Sequence, residues 1–178
     1  MALLPAWRRE KLLKYKSELD RTLCAEAYLL LLSGLREYYG VTEAPHFFCE
    51  EHGKPHLEGY PDIHFNLSHC RKGVLCVLGD EPVGCDIESV RTKLNPSLCR
   101  YVCNDEEYAQ VMQSTSPEWE FTKLWTRKEA LVKLTGAGLS TSIPFLLSQE
   151  MLEKINLETH VNKEERFAYS IATWRTTI

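Results

Sequence analysis

No run of this chain is apolar for long enough to span a bilayer: the longest, Ala27 to Leu32, falls far short of the roughly 20 residues that a spanning helix needs. An excess of basic charge is also missing. Lysine and arginine number 21 against 25 aspartates and glutamates, a formal net charge of -4, so no global positive field advertises nucleic acid or an anionic membrane. Any polyanion must be met by a local patch. The seven cysteines, Cys24, Cys49, Cys70, Cys76, Cys85, Cys99 and Cys103, contain no C-x-x-C pair. An odd count without that spacing argues against a disulfide framework and a thiolate zinc site, and reduced thiols are expected. His52 and His56 stand four apart, but Pro55 between them breaks the helix such a metal pair would need. Gly136-Ala-Gly138 lacks the spacing of a dinucleotide or P-loop fingerprint and reads as a helix cap. Repeats, low-complexity tracts and long linkers are absent too.

What is present fits one folded unit of 178 residues, 44% hydrophobic and 26% charged, large enough to bury a core. The start Met1-Ala-Leu-Leu-Pro leads into Trp7-Arg-Arg-Glu rather than a cleavable apolar segment, so a cytoplasmic protein is expected. Leu12 to Tyr39 is helical in pattern, with Leu23, Ala27, Leu30, Leu31 and Tyr38 predicted on the core face and Gly40 as the stop. From Val41 to Gly59 the chain reads as loop, with at most a short strand around His46 to Cys49. Ile63 to Leu67, Val74 to Leu78 and Pro82 to Glu88 read as strands of a small antiparallel sheet. Asn104 to Glu107 has the form of a capping box, and Ser116-Pro117-Glu118 starts a helix that runs to about Thr135 and stops at Gly136. Phe167 to Trp174 is a final strand. Helices and strands interleave without strict β-α-β order, so the fold class is α+β.

Two constellations carry possible chemistry. Asp86 and Glu88 are at i and i+2 of a predicted strand and project from one face. They either decorate an exposed strand or share a hard cation such as Mg²⁺ that relieves their repulsion. In the long helix Trp125, Glu129 and Lys133 fall on one stripe at steps of four, with Lys128 on its flank. That pattern is either a surface salt-bridge ladder or, if Glu129 faces the two acids, a third carboxylate beside a metal with lysines for phosphate. His69 ends the strand Phe65-Asn-Leu-Ser-His69, where a histidine is either merely hydrogen-bonded or meets a ligand.

Taken in order, Gly53-Lys-Pro55, Phe65-Asn-Leu-Ser-His69, Val83-Gly-Cys-Asp86-Ile-Glu88, Trp125-Thr-Arg-Lys-Glu129-Ala-Leu-Val-Lys133 and Gly136-Ala-Gly-Leu139 resemble the 4'-phosphopantetheinyl transferases of the surfactin-synthetase-activating type. The likeness extends from about Arg8 to Trp174. It implies one domain, residues 1-178, of two similar α+β halves, 1-80 and 81-178, with coenzyme A in the cleft between them. It also implies transfer of the phosphopantetheine arm from coenzyme A to a serine of an acyl or peptidyl carrier protein, with release of adenosine 3',5'-bisphosphate. On that resemblance Asp86, Glu88 and Glu129 hold Mg²⁺, with Mn²⁺ an alternative, and Asp86, Glu129 and Lys133 are the catalytic set. Glu129 also accepts the serine proton, directly or through water. Lys128 and Lys133 steady the pyrophosphate. Lys54, Ser68 and His69 meet the 3'-phosphate and adenosine, completed by Arg8, Lys11, Arg21 and Thr22. Glu107 matches another acidic family position, with a metal or a structural part.

The chain departs from the family pattern in a short N-terminal region, in Cys70-Arg71 after the histidine, and in Lys93 to Val102. In that last stretch Leu94, Leu98 and Tyr101 would supply the apolar contact to the carrier. A monomer is expected, with no nucleic-acid or membrane partner. The alternative of another class is a non-catalytic module that binds coenzyme A or a carrier in the same cleft. A generic metal-dependent phosphoesterase is disfavoured by the lack of a histidine-rich or multi-aspartate site.

Overall fold

The computed structural model describes residues 4–49, 53–138 and 143–176. Helix α1 (Ala6–Leu13) is separated from α2 (Glu18–Tyr39) by a break, where a single helix from Leu12 was expected. The cause is local. Ser17 has extended backbone and its hydroxyl accepts from Asp20 N–H at 3.3 Å, while Glu18 and Asp20 put acid in the new first turn. At the other end Gly40 takes φ 66°, as the predicted stop requires.

Strands β1 (Phe47–Cys49) and β2 (Pro55–Leu57) pair antiparallel in what the sequence suggests is mostly loop. Strands β3 (His64–Cys70) and β4 (Gly73–Gly79) form a hairpin. Strand β5 (Val83–Ser89) does not join that ladder but pairs antiparallel with β7 (Phe167–Trp174), whose other neighbour is β6 (Ile155–Asn162). The expected single sheet is thus divided between two. Three short helices, α3 (Pro96–Val102), α4 (Asp105–Gln113) and α6 (Gln149–Lys154), and a 3-10 turn at Ile143–Phe145 surround the long α5 (Pro117–Thr135).

Each long helix covers a sheet. On α2 the buried stripe is Leu23, Cys24, Ala27, Tyr28, Leu31 and Leu35. Leu31 and Leu35 pack on Phe65 and Leu57, with Leu67 and Leu78 at the margin. Leu30 and Tyr38, expected in the core, are 44% and 73% exposed because they lie off that stripe. Helix α5 packs through Ala130, Leu131 and Leu134 on Ile155 and Ala172. It lies close because β7 turns only small residues toward it, Ala168, Ser170 and Ala172, all fully buried. Gly84 serves the same approach from β5: a Cβ there would strike the Ala130 carbonyl and the Leu134 backbone.

The two units meet where β3 runs beside β5 in parallel alignment, Asn66 at Cys85 and Ser68 at Ile87. No backbone ladder joins them. The Asn66 side-chain oxygen accepts from Cys85 N–H at 3.1 Å, and the Ser68 hydroxyl accepts from Ile87 N–H at 3.3 Å. Side chains of one strand thus stand in for the carbonyls that the other strand lacks.

Candidate active site

The seam between β3 and β5 also collects the charged residues. Strand alternation turns Asp86 out of β5 on the side of Ser68, and the C-terminal half of α5 brings Lys133 over it. Asp86 Oδ1 accepts from the Ser68 hydroxyl and from the Lys133 ammonium, both at 2.7 Å. Lys133 also reaches Ser68 Oγ at 3.1 Å. Asp86 is only 5% exposed, and its second oxygen, Oδ2, is buried without a hydrogen-bond partner. A buried carboxylate oxygen left open is costly and marks a place for a cation or donor.

Glu88 and Glu129 are half-buried within electrostatic reach of Asp86. Both carboxyls are pushed above their ordinary value, first by burial and then by the negative charge of Asp86. Arg91, Lys133 and a hydrogen bond from Trp125 work against that rise at Glu88, and Lys133 works against it at Glu129. Glu129 is thus within electrostatic reach of both Asp86 and Lys133. Among the described residues no three His, Cys, Asp or Glu side chains are drawn close enough to hold a metal ion as they stand. The donors nonetheless fit a hard divalent cation: all are carboxylate oxygens, one of them an orphan, and their mutual repulsion is what such an ion removes.

Two clefts flank this node. One, of about 230 Å³, lies between Gly53-Lys54-Pro55, Asn66, Leu67 and the end of α5 with Lys133 and Gly136. The other, of about 490 Å³, is bordered by Asp20, His69, Cys70, Arg71, Glu88 and Arg91. Ser68 and Lys133 thus sit at the node, while Lys54 and His69 open on different sides of it. The Lys54 ammonium donates to the Leu134 carbonyl at 2.8 Å, at the C-terminus of α5. His69 is exposed, its Nε2 3.8 Å from Cys24 Sγ. Partial desolvation on the protein-facing side of its ring, aided by the Lys133 charge, holds its pKa below the ordinary value, with Asp20 and Asp86 opposing.

Other expected ligands lie elsewhere. Arg8 is buried, its guanidinium 4.9 Å from the Tyr28 ring centre. Thr22 is spent on its own helix, donating to the Glu18 carbonyl at 3.0 Å. Arg21 is half-buried in the first turn of α2. The side chain of Lys11, with His52 and Leu139, lies outside the described residues. Lys128 corrects the expectation most clearly. Its ammonium, on a residue only 1% exposed, donates to the Val102 carbonyl at 2.8 Å, to the Pro144 carbonyl at 3.1 Å and to Glu107 Oε2. It is turned into the core and does not reach toward a phosphate. One residue along a helix is about 100° of rotation, so Lys128 cannot share the face of Glu129. The Glu107 carboxylate also accepts from Asn104 N–H at 2.9 Å in the predicted capping box. In the stretch expected to meet a carrier, Leu94 and Leu98 pack inward and Tyr101 is 54% exposed.

Sequence reasoning did not single out Asn66, Asp20, Arg91 or the indole of Trp125 as site residues. Trp125 had a visible signal, four residues before Glu129 on the same stripe; the others are recognised only by what the fold sets beside them.

The molecule is a mixed helix and sheet fold in which a buried aspartate, bonded to a half-buried lysine, lies at a seam flanked by two clefts. Residues 82–174, just over half the chain, match the family described as the 4'-phosphopantetheinyl transferase superfamily, and the chain belongs to that family. It is 32% identical over 146 residues to a 4'-phosphopantetheinyl transferase of Bacillus subtilis, and 30% identical over 145 residues to 4'-phosphopantetheinyl transferase Sfp of Bacillus subtilis (strain 168). Each match covers 79% of this chain and 63% of the relative. A shorter match, 40% identical over 99 residues, is to 4'-phosphopantetheinyl transferase AcpT of Salmonella typhimurium, covering 53% of this chain and 51% of the relative. The chain therefore spans under two thirds of the length of these relatives. No helix among the described residues is long and apolar enough to cross a membrane.

Proposed function

We propose that this chain transfers the 4'-phosphopantetheine group from coenzyme A to a serine of an acyl or peptidyl carrier protein. The observation that carries this is the Asp86 node: a buried carboxylate bonded to Ser68 and Lys133, with one oxygen unsatisfied, in electrostatic contact with Glu88 and Glu129.

The reaction needs a base, a positioned pyrophosphate and neutralisation of charge on the leaving group. A carboxylate made more basic by burial and a neighbouring negative charge is a better proton acceptor. Glu129 accepts the proton of the serine hydroxyl, directly or through water, as the serine oxygen bonds to the β-phosphorus of coenzyme A. The bond from that phosphorus to the bridging oxygen breaks, and adenosine 3',5'-bisphosphate leaves. Lys133, held in place by Asp86, lies beside this path and offsets charge on the departing phosphate. Mg²⁺ or Mn²⁺, held by Asp86, Glu88 and Glu129, would supply charge neutralisation at the pyrophosphate. His69 serves the nucleotide end, its imidazole taking up a proton when a phosphate is near, and Lys54 borders the same ligand from the opposite cleft.

The test is to incubate the protein with coenzyme A, Mg²⁺ and a set of apo carriers and weigh the carriers. A mass gain of one phosphopantetheine arm is expected, and Glu129→Gln should lower the rate roughly 10²- to 10⁴-fold while coenzyme A still binds. Binding of coenzyme A without any mass gain on any carrier would replace this reading with that of a non-catalytic binding module.

A further inference from the structure

Lys128 is among the largest fully buried side chains of the molecule, and it is charged. Its ammonium gathers three segments distant in sequence: the C-terminal carbonyl of α3 at Val102, the N-terminal turn of α4 through Glu107, and the 3-10 turn through Pro144. Asn104 repeats the connection, taking Glu107 Oε2 on its backbone N–H and donating from its side chain to the same Pro144 carbonyl at 3.3 Å. All three segments are thereby tied to α5 one residue before Glu129. Around the ammonium the packing is apolar: Cys99, Val102, Cys103, Val111, Phe121 and Ile143 form one buried cluster.

A buried ion pair of this kind adds little net stability compared with an apolar replacement, yet breaking it by removing one partner is severe. Its value is geometric. Helix α5 must present Glu129 and Lys133 to Asp86, and against β7 it is held by small side chains and one buried hydrogen bond, Thr126 to Ser170 at 2.9 Å. Lys128 adds an anchor on the opposite side, three carbonyl and carboxylate oxygens from three other segments.

We propose that Lys128, paired with Glu107, is a positioning residue that clamps α3, α4 and the 3-10 turn onto α5 and so sets Glu129 against Asp86. This rests on the transferase reading for its catalytic consequence, but the clamp itself is a property of the fold.

The experiment compares the full chain with its Lys128→Met, Lys128→Arg and Glu107→Gln variants in four readouts: thermal melting, coenzyme A affinity, single-turnover transfer to an apo carrier at saturating coenzyme A, and amide hydrogen exchange over 94–104 and 143–147. In Lys128→Met, exchange in both segments should quicken by about tenfold or more, and transfer should slow by roughly 10²-fold, the scale of a 1 Å misplacement. Coenzyme A affinity should stay within about threefold, because the ammonium is turned into the core and bonded to Val102, Glu107 and Pro144. Lys128→Arg keeps a cation with donors for the same oxygens and should restore the rate to within about threefold. If Lys128→Met does not fold, Glu107→Gln, which leaves the cation in place and removes only its counter-charge, should show the same pattern in weaker form. A tenfold loss of coenzyme A affinity with unchanged exchange would overturn the proposal in favour of a phosphate ligand. A lower melting temperature with unchanged transfer per folded molecule would overturn it in favour of a purely structural role. Should the parent chain transfer to no carrier, the transferase reading fails by itself, and the clamp stands or falls on the exchange data.

Discussion

Glu88 and Glu129 each cost more to ionise in the folded chain than in the unfolded one, because burial and the Asp86 charge both oppose the anion. A carboxyl raised on folding favours the native state fully below its unfolded value, near 4.5 for a glutamate, and that contribution is lost as pH rises through the folded value. At pH 7 without ligand both groups therefore work against the fold. Glu129→Gln should raise the melting temperature of the ligand-free protein by on the order of 1–2 °C at pH 7, after allowance for the partial exposure of the carboxyl. Below about pH 4.5 the difference should vanish; a melting series from pH 4 to 8 decides it, and a loss of stability at pH 7 would contradict the sign. Gly84 makes a second residue-scale case. A methyl group there would meet backbone, the Ala130 carbonyl and the Leu134 amide, which cannot swing aside, whereas one at Gly34 would meet only the end of the Leu78 side chain. Gly84→Ala should thus cost about 3 kcal/mol or more and Gly34→Ala about 1 kcal/mol, measured by urea unfolding.

Among the elements, β5 holds the least usual place, with a ladder to β7 on one edge and only side-chain caps from β3 on the other. Asn66 is 5% exposed, and its Oδ1 is the acceptor for Cys85 N–H. Asn66→Ala leaves that amide buried and unsatisfied, which costs about 1–3 kcal/mol. The denaturation midpoint should fall with no change in its slope, and a neutral result would show that water replaces the side chain. This seam was not legible in the sequence. A capped edge and a paired edge look alike in an alternating strand, and Gly79 to Pro82 reads as a hairpin turn although β4 and β5 do not pair. Elements with local punctuation were readable: the Asn104–Glu107 box, the Pro117 start, the Gly136 stop with φ 69°, and β7 from Phe167 to Trp174. Strand β6 alternates Ile155, Leu157, Thr159 and Val161 with polar residues and was still missed; it follows a helix with no turn signal between. For the candidate site, the strand pair Asp86 and Glu88 and the helix stripe with Glu129 left a pattern that fits an exposed surface as well as a site, and only the family resemblance singled those acids out. Lys128 could not be placed, since two of its three partners are backbone carbonyls and leave no trace in residue identity.

At the scale of the whole molecule, three of the groups proposed for the site, Lys54, Ser68 and Lys133, also join its two units. Ser68 and Asn66 of β3 cap β5, Lys54 donates to the end of α5, and Lys133 of α5 bonds both Ser68 and Asp86. Each unit has its own apolar cluster, Leu31–Phe65 under α2 and Leu131–Ile155 under α5, so without these bridges the chain could open in two steps. With them, a ligand seated on the node draws on contacts from both sides and stabilises both. At a concentration of 100 times its dissociation constant, coenzyme A should add about 2.7 kcal/mol, roughly 5–10 °C in melting temperature for a chain of this size. The shift should move one cooperative transition as a unit, with calorimetric and van't Hoff enthalpies equal before and after. Ser68→Ala, which removes a cap of β5 and a partner of both Asp86 and Lys133, should reduce the shift and broaden the transition together. A ligand-induced shift confined to one of two resolved transitions would place the binding groups within a single unit and separate the seam from the site.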